Sequence, residues 1–328
     1  MPQRMIDFSE KDLRDFRRVL LLWYDRHRRD LPWRRTREPY RIWLSEIMLQ
    51  QTRVAAVLAH YRAFLKRFPN VRALAAASES EVLAVWSGLG YYRRARMLHL
   101  CAKKIVSQHR GRFPRTPDAL RTLPGIGPYT AAAIASIAFD QPTAVVDGNV
   151  ERVLQRIAGD TLASREIWAL AQQLVSHTRP GDFNQAMMEL GATVCVPRRP
   201  TCQDCPIRKW CTTRGDLPLE NPKPAQQRKE IWCALERRDG HIRLRQRPTR
   251  TSLMPGMWEL PQSATPPAIE TSACWRSFRH SITTTDYTVH VFRDGVGANR
   301  GRWIAIPQIP QLPITGLTRK ILKADGII

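Results

Sequence analysis

From residue 10 to about residue 211, apolar positions recur at three- and four-residue spacing with short polar breaks between them, the pattern of helix after helix. Leu20, Trp23 and Tyr24 form one stripe, and Val54, Val57, Leu58, Tyr61 and Leu65 form another. Further helices are predicted over 79–86, 92–109, 129–139, 149–157, 166–177 and 183–190. After Thr212 the texture changes to a stretch spaced by Pro218, Pro222 and Pro224, which reads as an extended linker. Short β-type runs follow at 231–235, 241–244 and 287–292, parted by turn signals such as Asp239-Gly240. The expected fold class is a mainly α N-terminal region, 1–212, a linker, 213–228, and a small α+β C-terminal domain, 229–328.

Composition fits that picture: 328 residues, 43% apolar and 25% charged, are ordinary for folded domains and exclude intrinsic disorder. The longest apolar runs, at 19–24 and 131–135, are far short of the ~18 to 20 residues of a membrane helix. No membrane association is expected. The start of the chain lacks the small-residue cleavage site of a signal peptide, so the expected location is the cytoplasm, a bacterial cytosol or nucleoid. Net charge changes the picture more. The chain carries +23, of which +16 lies before residue 229 and +7 after it, so no single basic tail explains it. Such an excess repels itself unless a polyanion is near, and nucleic acid is the leading partner. An anionic membrane surface is the alternative, but no basic amphipathic helix with a bulky apolar face stands out.

Of seven cysteines, Cys195, Cys202, Cys205 and Cys211 crowd into seventeen residues, with six, two and five residues between them, while Cys101, Cys233 and Cys274 are scattered. That distribution argues for a metal site in a reducing compartment rather than a disulfide framework. Four thiolates in one loop repel one another unless a cation neutralises them. Zinc usually takes two tight Cys-x-x-Cys knuckles, and here only Cys202 and Cys205 form one. A 4Fe-4S cluster, larger than one ion, suits the wider spacing better; zinc and unligated thiols are the alternatives. Arg198, Arg199, Arg208 and Lys209 lie in the same loop, so a structural, DNA-contacting role is expected.

Between two helical patterns stands Leu123-Pro124-Gly125-Ile126-Gly127-Pro128. Gly125 and Gly127 can free backbone amides to meet a phosphate beside a helix N-terminus, and a plain helix-helix turn is the other reading. Glu46 has Ile42, Trp43, Leu49 and Gln50 as its helical neighbours, so its carboxyl should be desolvated, raised in pKa and suited to donate a proton. Asp147 follows Ala144-Val145-Val146 and opens a helix, where amides and the helix dipole should keep it an anion. Two carboxyls pushed in opposite directions suit acid and anion roles. An ordinary helix cap, and a Glu reaching solvent or an arginine, are the plainer alternatives.

Together the hairpin, an Asp some twenty residues later and the four-cysteine spacing resemble the helix-hairpin-helix glycosylases of the endonuclease III superfamily. Within it, Leu31-Pro32-Trp33-Arg34, the stretch 44–52, Gly88-Leu89-Gly90-Tyr91-Tyr92, Val146-Asp147-Gly148-Asn149-Val150 and the stretch 183–191 resemble the adenine DNA glycosylases. The likeness is strong over roughly residues 15–211. Beyond the linker, the stretch 253–261 and Phe278-Arg279-His280 resemble that family's Nudix-like C-terminal domain.

The resemblance implies a two-lobed helix-hairpin-helix glycosylase domain with an iron-sulfur loop at 195–211, plus a Nudix-like recognition domain. It further implies a monomeric, monofunctional enzyme that removes adenine opposite 8-oxoguanine or guanine from double-stranded DNA. Glu46 would protonate the base, Asp147 would stabilise the sugar cation, and Tyr129 and Asn149 would support the pair. Arg34 and Gln185 match residues in or beside the adenine pocket. Gln51, Thr52, Leu89 and Tyr91 match residues that enter the base stack. An enzyme acting on a paired base must flip it out and fill the gap.

Two departures stand out. After Phe278-Arg279-His280-Ser281 the chain reads Ile282-Thr283-Thr284-Thr285, so Thr283 keeps a hydroxyl where the family's lesion-reading loop has Phe-Ser-His; His280 and Thr283 are the expected contacts there. The glutamate cluster of a catalytic Nudix site is also missing from residues 229–328, which implies recognition without hydrolysis. Tyr129 stands where a lyase of this superfamily carries lysine, and a mismatch thymine glycosylase would lack Glu46. A non-catalytic iron-sulfur DNA-binding protein would not need both carboxylates.

Overall fold

The computed structural model describes residues 8–215, 226–266, 274–282, 284–293 and 301–328. Its helices are α1 (Glu10–His27), α2 (Pro39–Leu49), α3 (Val54–Arg67), α4 (Val71–Ala76), α5 (Glu79–Trp86), α6 (Tyr92–His109), α7 (Pro117–Arg121), α8 (Pro128–Phe139), α9 (Gly148–Ala158), α10 (Ser164–Leu174), α11 (Pro180–Thr193) and α12 (Gly316–Ala324). Its strands are β1 (Gln227–Ala234), β2 (Arg237–Arg238), β3 (His241–Gln246), β4 (Trp258–Glu259), β5 (Gln262–Ser263), β6 (Arg276–Ile282), β7 (Thr285–Phe292) and β8 (Arg302–Ala305). A helical N-terminal region and a small α+β C-terminal region are therefore present, as the pattern predicts. The boundaries of α10 and α11 differ from those expected. α10 stops at Leu174 because Val175 turns to an extended backbone, and α11 begins at Pro180, which suits a first helical turn. No helix among the described residues is long and apolar enough to cross a membrane.

By packing, the chain forms two compact units, one from Met1–Gln51 with Leu100–Asn221 and one from Thr52–His99 with Pro222–Ile328. The first unit has a core in which Phe16, Leu20 and Tyr24 of α1 meet Val153, Leu154 and Ile157 of α9 and Phe183 and Leu190 of α11. A second cluster, Ile42, Ala132, Ala133, Ile137 and Val145, joins α2 to α8, whose alanines let the two backbones come close.

In the second unit, α3 and α5 share an aromatic core, with the Phe64 and Trp86 rings 5.9 Å apart. Two sheets follow, one ordered β5-β1-β7-β6 and one ordered β2-β3-β4 with β8 also pairing β3. The β1 and β7 pair is parallel and β6 and β7 are antiparallel. Ile242, Leu244, Val289, Val291, Ile321 and Leu322 fill the core that these sheets share with α12. Of the linker expected at 213–228, residues 216–225 lie outside the described residues.

Candidate active site and cysteine centre

α2 starts where the Glu38 carboxylate accepts from the Tyr40 and Arg41 amides, at 3.1 and 2.9 Å, with Pro39 in the first turn. That helix is buried almost all round, and Glu46 is only 5% exposed. Its Oε2 accepts a hydrogen bond from the Tyr129 hydroxyl on α8. Burial pushes the Glu46 carboxyl up to about 7; the Tyr129 bond and Arg34 oppose that rise, and the Asp147 charge adds to it. Burial, with Glu46 next, also raises Tyr129 well above the usual phenol range, so the hydroxyl stays a donor.

Asp147 caps α9. Its Oδ1 accepts from the Asn149 and Val150 amides at 2.9 and 2.8 Å, and its Oδ2 accepts from Asn149 Nδ2 at 3.0 Å. A cap of this kind is worth roughly 0.5 to 2 kcal/mol, and here it also aims a carboxylate. Asn149 is held in turn, since its Oδ1 accepts from Arg152 Nη2 at 2.9 Å, and the same guanidinium donates to Gly191 O and Cys195 O at 2.6 and 2.8 Å. Gly191 must be glycine, because a Cβ there would lie 2.7 Å from Asn149 Cβ. α11 thus touches the start of α9, and its Met188 Sδ stands 3.6 Å from the Tyr129 hydroxyl. Gln185 lies three residues before Met188, on the same helix face, and is buried.

Arg34 is where sequence reasoning saw only part of the arrangement. It donates to Glu189 Oε2 at 2.8 Å and lies over the Tyr24 ring at 5.5 Å. Arg29 grips the same carboxylate through Nε and Nη2 at 2.8 and 2.7 Å, and through its own amide at 2.9 Å. Glu189 is fully buried, yet the two arginines outweigh that burial and hold its carboxyl down at about 2. Neither Glu189 nor Arg29 was singled out by the sequence. The available signal was a Glu inside the apolar face of 183–191, one turn from Gln185, but its partners lie 155 and 160 positions away.

Cys195, Cys202, Cys205 and Cys211 all line one cavity, together with Arg156 and Arg208, and none forms a disulfide. No three His, Cys, Asp or Glu side chains among the described residues are arranged to hold a single metal ion. Four thiols lining one shared space are a donor set that would suit an iron-sulfur group. N–H donors already point at the sulfurs: Arg156 Nη1 lies 3.2 Å from Cys195 Sγ and the Arg214 amide 3.4 Å from Cys211 Sγ. Burial pushes the Cys205 thiol up to about 11, and the neighbouring cysteines add to that rise.

In the hairpin, Leu123 and Ile126 are buried while Gly125 and Gly127 face solvent ahead of α8, with Gly125 at φ 74°. Gln51, exposed and at φ 55°, ends the first stretch of that unit. The structure therefore brings Glu46, Tyr129, Asp147, Asn149, Arg34, Gln185, the hairpin and the cysteines into one unit, and Thr52, Leu89, Tyr91 and His280 belong to the other. Leu89 is buried at 6%, whereas Tyr91 is 49% exposed and takes φ 49°, so only Tyr91 stands out from the surface. His280 sits on β6 opposite Tyr287, and burial, then Lys320, lowers its pKa. Thr283 lies outside the described residues.

Residues 44–187 match the model of the HhH-GPD superfamily of base excision DNA repair proteins. The chain is 34% identical over 242 residues to the adenine DNA glycosylase of Buchnera aphidicola subsp. Acyrthosiphon pisum (strain APS), covering 70% of this chain and 69% of that one. It is 51% identical over 220 residues to the adenine DNA glycosylase of Homo sapiens, covering 62% of this chain and 40% of that one. The chain spans less than half the length of the first curated relatives it matches. Among solved structures, a thermostable thymine-DNA glycosylase superposes with a TM-score of 0.59 at 33% identity, over 63% of this chain and 99% of that one.

Proposed function

Because the chain belongs to the adenine DNA glycosylase family of HhH-GPD base excision repair proteins, we propose that it removes adenine opposite 8-oxoguanine or guanine in duplex DNA. The observation that carries this reading is Glu46, buried, bonded to Tyr129 and raised to about 7, beside the capped carboxylate of Asp147. At neutral pH a large fraction of Glu46 holds its proton. It gives that proton to the adenine ring as the N-glycosidic bond breaks, so the base leaves neutral. Asp147 faces the positive charge that develops on the sugar, held by the three donors at its carboxylate. Water then adds to the sugar carbon and leaves an abasic site. Tyr129 has no amine with which to form an imine, so the strand stays uncut.

Cys195, Cys202, Cys205 and Cys211 would hold a 4Fe-4S cluster, which on binding would fix the loop 195–211 and so its basic residues as a DNA-contacting surface. The exposed Gly125 and Gly127 ahead of α8 suit a phosphate, and Gln51, Thr52 and Tyr91 suit entry into the base stack. The +7 C-terminal region reads the opposing base, and the chain works as a monomer in a reducing, DNA-bearing cytosol.

The test is strand breakage after alkali on duplexes holding adenine opposite 8-oxoguanine or guanine, and thymine opposite guanine. Adenine excision with an uncut strand before alkali supports the reading. Glu46→Gln should lower single-turnover excision more than ~100-fold, the low end of what acid-base catalysis contributes, with duplex binding unchanged. Excision within about tenfold of the parent would remove Glu46 from the role of acid.

A further inference from the structure

Within the second unit, a buried hydrogen-bond network ties the segment ahead of α12 to the loop between α5 and α6. Ser87, the cap of α5, donates through Oγ to Ile314 O at 2.6 Å and accepts from Arg319 Nε at 3.0 Å. The Tyr92 hydroxyl donates to the same carbonyl at 3.3 Å and accepts from the Gly88 amide at 3.4 Å. Each hydroxyl thus gives one bond and takes one. Ile314 is fixed from its other side by β4, where Trp258 N donates to Pro313 O at 2.8 Å and Thr315 N to Trp258 O at 2.9 Å. Ser87, Tyr92 and Ile314 are all buried.

The loop held in this way has an unusual backbone. Gly88, Gly90 and Tyr91 have φ of 101°, 77° and 49°, the last in a region that side chains other than glycine rarely adopt. A Cβ at Gly88 would stand a tight 3.1 Å from Arg319 Cδ, so the arginine side chain packs directly against this loop. On the loop's other flank, Trp86 Nε1 donates to Gly90 O at 3.0 Å. Arg94 donates to Thr52 Oγ1 at 3.0 Å, with its guanidinium 5.3 Å from the centre of the Tyr91 ring. A strained, exposed aromatic is kept in place by contacts from both flanks.

We propose that Arg319 of α12 is a positioning residue for Tyr91: the C-terminal region holds the loop 88–91 in the form that presents this ring, and so acts on base extrusion through the loop. The inference rests on the proposed glycosylase reading, in which Tyr91 enters the base stack. It differs from lesion reading by the C-terminal region, because it requires no contact between that region and DNA.

The test uses full-length Arg319→Ala and Ser87→Ala, the second removing one oxygen and little bulk should the first fail to fold. Backbone hydrogen exchange in the segment 86–94 of the free protein reads the loop directly. Single-turnover adenine excision, alone and combined with Tyr91→Ala, reads the consequence. Exchange at Gly88 and Leu89 should quicken about tenfold, and excision should slow about tenfold, the size of one hydrogen bond to a charged group. On the Tyr91→Ala background, Arg319→Ala should cost nothing more. Unchanged exchange in both variants, or excision losses that multiply with that of Tyr91→Ala, would overturn the proposal. If the parent excises no adenine, the glycosylase reading falls, and the exchange result alone then decides whether Arg319 holds the loop.

Discussion

The surroundings of Glu46 and Glu189 make a controlled comparison, because both hold a buried glutamate on a helix of the same unit, yet one carboxyl is raised to about 7 and the other lowered to about 2. Burial raises both. Around Glu189 two guanidinium groups and an amide repay that desolvation. Glu46 takes its hydrogen bond from a neutral phenol hydroxyl, Arg34 acts on it only through its charge, and the nearby Asp147 works against ionisation. What separates a structural anion from a proton donor here is the charge of the partners rather than depth in the fold. Arg34 links the two: it donates a hydrogen bond to Glu189 while acting on Glu46 only through its charge.

Breaking the strong side should have the largest effect. Glu189→Gln leaves two arginines short of their counter-charge, one of them nearly buried, and should lower unfolding free energy by about 3 kcal/mol. Urea denaturation measures it, and a loss under ~1 kcal/mol would place Glu189 among ordinary surface pairs. The next effect is a pH dependence of opposite sign at the two sites. Because the Glu46 carboxyl is raised above its ordinary 4.5, the stability it contributes is full below that value and lost as pH rises through about 7. Glu46→Gln should therefore gain on the parent between pH 5 and pH 8, by up to about 3 kcal/mol. Glu189, being lowered, contributes above its ordinary value and loses that contribution as pH falls toward 2. Thermal melts of the parent and both variants from about pH 2 to about pH 8 would show the two trends, and parallel curves would refute them.

Asn149→Ala, which removes a donor to Asp147 and an acceptor for Arg152, should slow excision by roughly tenfold, the scale of one charged hydrogen bond. Its melting point should change little. The smallest effect sharpens the comparison further. The Tyr129 bond lowers the Glu46 carboxyl, so Tyr129→Phe should move the pH at which excision declines upward. No movement would mean that the hydroxyl serves only packing.

How far the sequence reached depended on the range of the interactions. α5 and α6 run where the periodicity placed them; Ser78 and Glu81 form a capping box at the start of α5, a purely local signal. The Asp147 cap was equally visible, for the same reason. Glu46 was legible as a carboxyl on an apolar face, but its bond to Tyr129 spans 83 positions, and no spacing rule carries that far. Glu189 stayed hidden because its role is defined entirely by arginines from the first 34 residues. β6 and α12 were not anticipated either. β6 alternates only weakly between buried and exposed positions, and α12 owes its amphipathic face to a sheet core assembled from distant strands. The gathering of residues 52–99 with the C-terminal region is a long-range fact of the same kind.

Glu46 as the proton donor is tested most directly by the pH profile of single-turnover adenine excision by the parent protein. With adenine opposite 8-oxoguanine in the duplex, the rate should hold steady below neutrality. It should then fall toward tenfold per pH unit above about 7, as the Glu46 carboxyl gives up its proton. A rate that stays level through pH 9, or that rises with pH, would contradict the account.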